Sequence, residues 1–402
     1  MISVTEARAR ILAGLSATTP ETVSLAEALH RVTARPVVSR LSNPPGDVSA
    51  MDGYAVRAAD AARGARLRLI GAAPAGHPFA GSVGPGETVR LFTGSLVPAG
   101  ADTILIQENA DAEGESVTVR EAPGPGRHIR RMGQDFRAGD AVLTAGYRLS
   151  PRHIGLAAAA GHPWLTVHRR PRIVILCTGD EIALPGEPLP PGGVVSSNGA
   201  ALAAFVRAAG GEPVLLPTVP DRLEAIAEAA AAAGGADMLI TTGGASVGEH
   251  DLVQAGLASR GLVLDFWRIA MRPGKPLMHG RLGEVPMLGL PGNPVSALVC
   301  AILFLLPALQ RLQGLPGHPP AAEPVRLGSP LPANDIREDY VRASLLVPED
   351  GGGWIAHPYG TQDSGQISRL AAADALLVRP PFAPALAVGE MVPAIRLAPL
   401  GL

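Results

Sequence analysis

The sequence predicts an α/β multidomain protein, and three observations carry that prediction. Between residues 169 and 314 apolar strand-like runs alternate with helix-like runs, the pattern of a doubly wound, mostly parallel sheet covered on both faces. Residues 43–135 instead hold short β-like runs punctuated by Gly and Pro, as in a β-rich insertion. Beyond the linker Gly314-Leu315-Pro316-Gly317-His318-Pro319-Pro320, residues 324–402 return to short strands and predict a small C-terminal β-barrel. The expected division is a discontinuous N-terminal domain (1–42 with 136–168) carrying the insertion (43–135), a central α/β domain (169–314) and the barrel (318–402).

The elements follow in order. Val4 to Leu15 reads as a helix, Leu25 to Leu29 as a second, and Pro36-Val37-Val38 as an extended exit. The insertion supplies strands at Arg66–Ile70, Glu87–Phe92, Asp102–Gln107 and Ser116–Val119. Residues 136–168 turn helical again, most clearly over Pro151–Ala160. In the α/β domain, strand Ile173–Leu176 leads to helix Asn198–Ala209, which Gly210-Gly211 stops. Strand Val214–Leu216 leads to helix Asp221–Ala233, where Asp221 and Glu224 stand at capping-box spacing. Strand Met238–Thr241, helix Asp251–Ala258, and strands Leu262–Trp267 and Met287–Leu290 follow. The last helix opens with Asn293 as N-cap and Pro294 at its first position. Val295 to Leu309 is almost wholly apolar but short for a membrane span and contains Pro307, so a buried helix is expected. Tyr340–Val347 and Ala375–Val378 read as barrel strands.

At 402 residues the chain exceeds a single core, and 47% hydrophobic content argues against disorder. A formal charge of −2 gives no global field favouring nucleic acid or an anionic membrane. Cys177 and Cys300 are the only cysteines, which fits a reducing cytoplasm, and the N-terminus carries Glu6 and no apolar h-region of a signal peptide. Cys177, without a basic neighbour in sequence, reads as a structural thiol.

The chemistry concentrates where strands run into glycine-rich loops. Thr241-Thr242-Gly243-Gly244-Ala245-Ser246-Val247-Gly248 and Gly289-Leu290-Pro291-Gly292-Asn293-Pro294-Val295-Ser296 each precede a helix, an arrangement that leaves backbone N–H groups for phosphate or another oxyanion. Between them Met271-Arg272-Pro273-Gly274-Lys275-Pro276 sets two cations in a stiff turn, a planar fork and a compact charge. Arg268 precedes it and also reads as an ordinary solvated cation. Asp180, Glu181, Asp221 and Asp251 fall at or beyond strand ends, where carboxylates gathered on one edge can share Mg²⁺ with a phosphorylated substrate. Taken singly, Asp221 and Asp251 fit helix caps equally well. Asp52-Gly53 fits a turn before strand Tyr54-Ala55-Val56, and Arg130-Arg131-Met132-Gly133-Gln134-Asp135 an exposed turn.

Taken together, Ser49-Ala50-Met51-Asp52-Gly53-Tyr54-Ala55-Val56, Thr178-Gly179-Asp180-Glu181, Ser246-Val247-Gly248 with Asp251, Arg272-Pro273-Gly274-Lys275-Pro276 and Gly289 to Ser296 resemble the molybdopterin molybdenumtransferase family, which includes bacterial MoeA and the gephyrin E-domain. The resemblance runs in order along nearly the whole chain. It implies a central domain of the molybdopterin-binding type and an elongated homodimer with an intersubunit active site. The implied reaction inserts molybdenum from molybdate into adenylylated molybdopterin and releases AMP, with Mg²⁺. On this resemblance the adenylate lies on the loops, with Thr178, Asn198, Gly243, Gly244, Ser246, Pro291, Asn293 and Pro294 as contacts. Asp251, Asp221, Glu181 and Asp180 hold metal and orient hydrolysis. Arg268, Arg272, Lys275 and Ser296 take molybdate, with Arg337 from the last domain. Asp52, Thr93 and Asp135 match positions that approach from the partner subunit, and Ser364 one in the last domain. Departures are Arg268 and Arg272, where the family often has lysine, and Arg130-Arg131-Met132-Gly133-Gln134-Asp135, where it more often has Arg-Arg-Arg-Gly-Glu-Asp. A molybdopterin adenylyltransferase, which shares the α/β module, leaves residues 1–168 and 318–402 unexplained; a non-catalytic gephyrin-like scaffold leaves the acids and cations unexplained.

Overall fold

The computed structural model describes residues 1–243, 252–348 and 351–401. The chain forms two compact units: Met1–Glu21, His30–Ala34 and Val167–Leu402 make one, Thr22–Leu29 and Arg35–Thr166 the other.

The first unit is built on a six-stranded sheet in the order Glu212–Leu215, Arg172–Cys177, Met238–Thr242, Val285–Leu290, Met278–Leu282, Leu262–Phe266. The first four strands are parallel. Met278–Leu282 is antiparallel to both neighbours, so Leu262–Phe266 again runs with the first four. Period-two alternation sends Ile173, Ile175 and Cys177 to one apolar layer and Val174 and Leu176 to the other, as a sheet with both faces covered requires. Met278–Leu282 was not expected. Its His-Gly-Arg centre lacks the β-branched residues that signal a strand, and the hairpin through Gly283, at φ +57°, creates it.

Pro294–Leu312 is one continuous helix, and most of its residues are buried. It packs with Ile173, Ile175 and Leu202, so it is the core helix that the sequence implies. Its middle turn, Ala301–Leu305, is a π-helix ahead of Pro307, whose ring and missing N–H do not fit an α-helical interior. Helix Val4–Ala13 is capped by Ser3, which accepts from the Glu6 N–H at 3.1 Å, and lays Val4, Ala7 and Ile11 into that same apolar layer. Helix 198–209 is observed over Asn198–Ala208.

Downstream, Glu338–Leu346, Ile355–Pro358, Glu323–Leu327, Met391–Arg396 and Ala375–Arg379 close on themselves as a five-stranded barrel. The short strand Met271–Arg272 pairs in parallel with Glu338–Asp339 at its rim.

The second unit holds a mixed six-stranded sheet, Thr103–Ile106, Gly53–Val56, Glu87–Leu91, Arg66–Ala73, Ser116–Val119, Ala110–Glu113. Gly53–Val56 is an interior strand, with Ala55 in one apolar cluster and Tyr54 and Val56 in the other. Gly53 admits no side chain: a Cβ there would lie 3.0 Å from the Ile106 Cα and closer still to the Leu105 carbonyl oxygen. Helix Pro151–Ala159 matches its sequence signal. The rest of 136–168 does not, since Ala141–Leu143 and Trp164–His168 are strands. Leu25–Leu29 is a turn rather than a helix. Five residues cannot repay helix nucleation, and Glu27 instead bonds the Ser24 hydroxyl at 2.9 Å.

Candidate functional site

Strands Arg172–Cys177, Met238–Thr242 and Val285–Leu290 end side by side, and their exits are stitched together. The Thr178 N–H donates to the Thr242 carbonyl at 3.1 Å. The Asn198 amide donates to Thr242 Oγ1 and to the Gly292 carbonyl, both at 2.8 Å, and Thr242 Oγ1 donates to the Pro291 carbonyl at 3.1 Å. Gly243 leaves its strand at φ +96°, and Gly292 lies beside it, where a Cβ would make ordinary contact with the Gly243 Cα at 3.6 Å. Thr178 Oγ1 is buried here with no hydrogen-bond partner. Asn198 therefore spends its amide N–H groups on holding both loops to one helix start. Gly244, Ser246 and Asp251 lie outside the described residues.

The second loop differs from the sequence expectation of uncovered N–H groups. Pro294 has none, and the Val295 N–H donates to the Ser364 carbonyl at 3.2 Å. Asn293 occupies the N-cap position without a side-chain capping bond, and Ser296 is buried. Ser364 thus does reach this helix start, through its backbone. Its loop is held by the buried Arg342, which donates to the carbonyls of Asp363 at 2.9 Å and Gln366 at 3.1 Å.

Asp180, Glu181 and Asp221 meet beside these exits. The Asp221 N–H donates to Asp180 Oδ1 at 3.0 Å, while Asp221 Oδ1 is buried without a partner. Asp221 is not a helix cap, because its helix starts one residue later with Arg222 in the N-cap position. Burial, and then the charges of Asp180 and Glu181, raise the Asp221 carboxyl above the ordinary range. Among the described residues no three His, Cys, Asp or Glu side chains converge as a closed ligand set. A raised folded-state value means that the folded protein holds this proton more tightly than the unfolded chain. Stability should therefore fall as pH rises from about 4, through the ordinary aspartate range to the raised value. Asp221→Asn should remove that dependence without lowering the urea midpoint at neutral pH, measured without added metal; a parallel pH profile would refute the assignment.

The turn after Leu262–Phe266 lies on the same edge, since it joins the carboxyl end of that strand to the start of the antiparallel Met278–Leu282. Gly274, at φ +110°, presses on the core helix, where a Cβ would lie 2.6 Å from Cys300 Sγ. Arg272 donates from Nε to Asp339 Oδ1 at 3.0 Å and from a second nitrogen to Asp339 Oδ2. Its fork, expected to face an oxyanion, is turned onto this buried carboxylate, with its remaining end 3.9 Å from Asp335. Arg337 grips Asp335 through Nε at 3.0 Å and a second bond at 2.5 Å, and this holds the Asp335 carboxyl well below the usual range. Lys275 is half-buried, and its ammonium makes no hydrogen bond or ion pair to any of the described residues. It is also the only lysine in the chain, all the other residues of the Lys and Arg total of 34 being arginine. That count is a sequence signal for a site that takes a compact charge. Arg268 stacks on Trp267, with its guanidinium carbon 4.2 Å from the ring centroid and its Nε buried without a partner. Asp335, Asp339 and Trp267 are residues that the sequence reading missed.

In the second unit Asp52 Oδ1 accepts from the Thr93 N–H at 2.7 Å and the Thr93 hydroxyl at 2.8 Å, and these bonds lower the Asp52 carboxyl. Asp135 is paired separately, accepting from Asn43 Nδ2 at 3.0 Å. Cys177 is buried and its thiol is pushed up to about 11, as befits an inert structural position.

Family models match almost end to end: the MoeA N-terminal region (domain I and II) over residues 2–161, a probable molybdopterin binding domain over 174–311, and the MoeA C-terminal region (domain IV) over 324–397. The chain belongs to the MoeA family. A MoeA relative from Nostoc sp., named molybdopterin molybdenumtransferase, is 38% identical over 90% of this chain and 85% of its own. Molybdopterin molybdenumtransferase 2 of Mycobacterium tuberculosis is 37% identical over 94% of this chain and 95% of its own. The crystal structure of a MoeA protein from Pyrococcus horikoshii superposes with a TM-score of 0.86 at 27% identity, covering 98% of this chain and 99% of that one.

Proposed function

We infer that this chain is a molybdopterin molybdenumtransferase, a transferase of molybdenum-cofactor biosynthesis that inserts molybdenum from molybdate into adenylylated molybdopterin, with hydrolysis of the adenylate and release of AMP. The observation that carries this reading is the juxtaposition on one sheet edge of Lys275, whose ammonium has no partner among the described residues, and a carboxylate oxygen of Asp221 that is buried without a hydrogen bond. One suits an incoming oxyanion and the other a cation.

In this reading the adenylate lies on the loops at Thr178, Gly243, Gly244, Ser246, Pro291, Asn293 and Pro294, over the Asn198 brace. Lys275 takes molybdate, with Arg268, Ser296 and the free end of Arg272 beside it, and Arg337 steadies Arg272 through Asp335. The orphaned oxygen of Asp221 beside two further carboxylates fits Mg²⁺, which Asp180, Glu181, Asp221 and Asp251 would hold. When bound, that ion neutralises phosphate charge and polarises the phosphoryl oxygen. Asp221 and Asp251 orient the hydrolytic step. Asp52, locked by Thr93, and Asp135 complete the site from the partner subunit of a homodimer, and Ser364 lies over the second loop. The four-part division given above, a cytoplasmic setting and exchange with other proteins of cofactor biosynthesis belong to the same reading.

The test is AMP release from adenylylated molybdopterin by the purified protein. Release should require molybdate and Mg²⁺. Consumption of ATP without AMP release would identify an adenylyltransferase, and binding without release a scaffold. The single lysine allows a second readout. Apart from the chain's N-terminal amine, an amine-reactive reagent labels only Lys275, and molybdate should slow that labelling at least about 10-fold if the ammonium holds the anion; labelling indifferent to molybdate removes Lys275 from the anion site.

A further inference from the structure

Among the described residues of the first unit, Trp267 and Phe382 are the exposed aromatic side chains, and only Trp267 stands on the carboxyl edge of the sheet, 41% exposed. Its strand lies two places beyond Val285–Leu290, so the two strands are about 10 Å apart along the edge. The Arg272–Lys275 turn connects that strand to the intervening one. Phe266, the residue before, stacks on His279 at 5.4 Å between centroids. Trp267 lies just beyond the strand end, and among the described residues its charged partner is Arg268. The Arg268 Nε is buried without a hydrogen-bond partner, and its guanidinium lies over the indole. A broad aromatic surface, half-open to solvent and bearing a stacked guanidinium, binds a flat heteroaromatic ring by its face.

The substrate inferred above has two such rings, an adenine and a pterin, joined through phosphates. The adenylate end belongs to the glycine loops, and the oxyanion lies at Lys275. We propose that Trp267 is the stacking surface for the pterin bicycle, so that substrate lies along the sheet edge with AMP on the loops, molybdate at the Arg-Pro-Gly-Lys turn and pterin on the indole. The proposal rests on the functional reading above and extends it to the substrate's other end.

The chain has three tryptophans, Trp164, Trp267 and Trp354. In a Trp164→Phe, Trp354→Phe protein, 6-hydroxymethylpterin should quench the remaining emission while AMP leaves it unchanged. If that variant folds poorly, the difference in quenching between wild type and Trp267→Phe reads the same contact. In turnover at saturating molybdate, Trp267→Ala should raise KM for adenylylated molybdopterin about 10- to 100-fold, with kcat at saturating substrate and inhibition by AMP unchanged. Trp267→Phe should recover most of the loss. An unaltered KM overturns the proposal. So does a parallel loss of AMP inhibition, which would make Trp267 a brace for the edge as a whole. Should the wild type release no AMP, the functional reading fails by itself, and pterin quenching still decides the contact: its presence upholds the stack and its absence overturns it.

Discussion

Gly243→Ala should cost about 2–4 kcal/mol of stability and abolish AMP release. Gly243 leaves its strand at φ +96°, where an alanine is already strained. The added Cβ would lie 3.1 Å from Thr178 Oγ1 and overlap the Thr178 carbonyl oxygen. Neither neighbour can yield cheaply. Thr178 is fixed by its bond to the Thr242 carbonyl at 3.1 Å, and Thr242 is fixed in turn by Asn198 and the Pro291 carbonyl. Relief therefore means parting the strand exits, and with them the two loops that are to hold the adenylate. Urea denaturation and AMP release together check this. A wild-type midpoint would show that the edge is loose enough to accept a methyl group, and wild-type turnover would show that its closeness is irrelevant to the reaction.

Much of the architecture was legible because it depends on short-range patterns. The alternation of Ile173, Ile175 and Cys177 with Val174 and Leu176 makes both a long apolar run in sequence and a strand buried on two faces in the structure. Helix Pro294–Leu312 announces itself through Asn293, Pro294 and an apolar run with few alternatives. Where local pattern was ambiguous, tertiary contacts decided. Asp221 and Glu224 have the spacing of a capping box, yet the helix starts a residue later and leaves Asp221 in a cluster of carboxylates. Met278–Leu282 has almost no strand propensity and exists because a hairpin pairs it on both sides.

The pairings among the candidate site residues were not legible in the sequence. Asp52 and Thr93 are 41 positions apart and share two hydrogen bonds; Arg272 and Asp339 are 67 apart and share a fork. No spacing rule reaches such distances, because the strand order of the sheet and barrel sets them. Lys275 could have been singled out by counting alone, since a chain that uses arginine for every other cation keeps lysine there. An ammonium is a compact, rotatable charge, and a guanidinium in that turn would seek a planar partner as Arg272 has done.

That partner makes Arg272 the second position with a large expected effect. Asp339 is buried, and Arg272 supplies two of its hydrogen bonds and the nearest opposite charge. Arg272→Ala would leave a carboxylate in the wall of the barrel without that cation, at a cost of about 2 kcal/mol, below the usual figure for a buried pair because Arg272 is itself half-exposed. If this is the origin of the loss, Arg272→Ala with Asp339→Asn should regain most of it, since a neutral amide needs no counter-charge. Arg272→Lys should lie between, about 1 kcal/mol down, because one ammonium cannot meet both Asp339 oxygens in a plane. Molybdate protection of Lys275 should follow a different order. Arg272→Lys retains positive charge at the turn and most of the protection, whereas the double variant recovers stability and stays impaired. Denaturation midpoints and labelling rates on these three proteins, with Lys275 read apart from the introduced lysine of Arg272→Lys by fragment mass spectrometry, separate the brace from the binding charge. A double variant no more stable than Arg272→Ala would mean that the buried carboxylate is not what Arg272 serves, and the turn would then owe its position to Gly274 against Cys300.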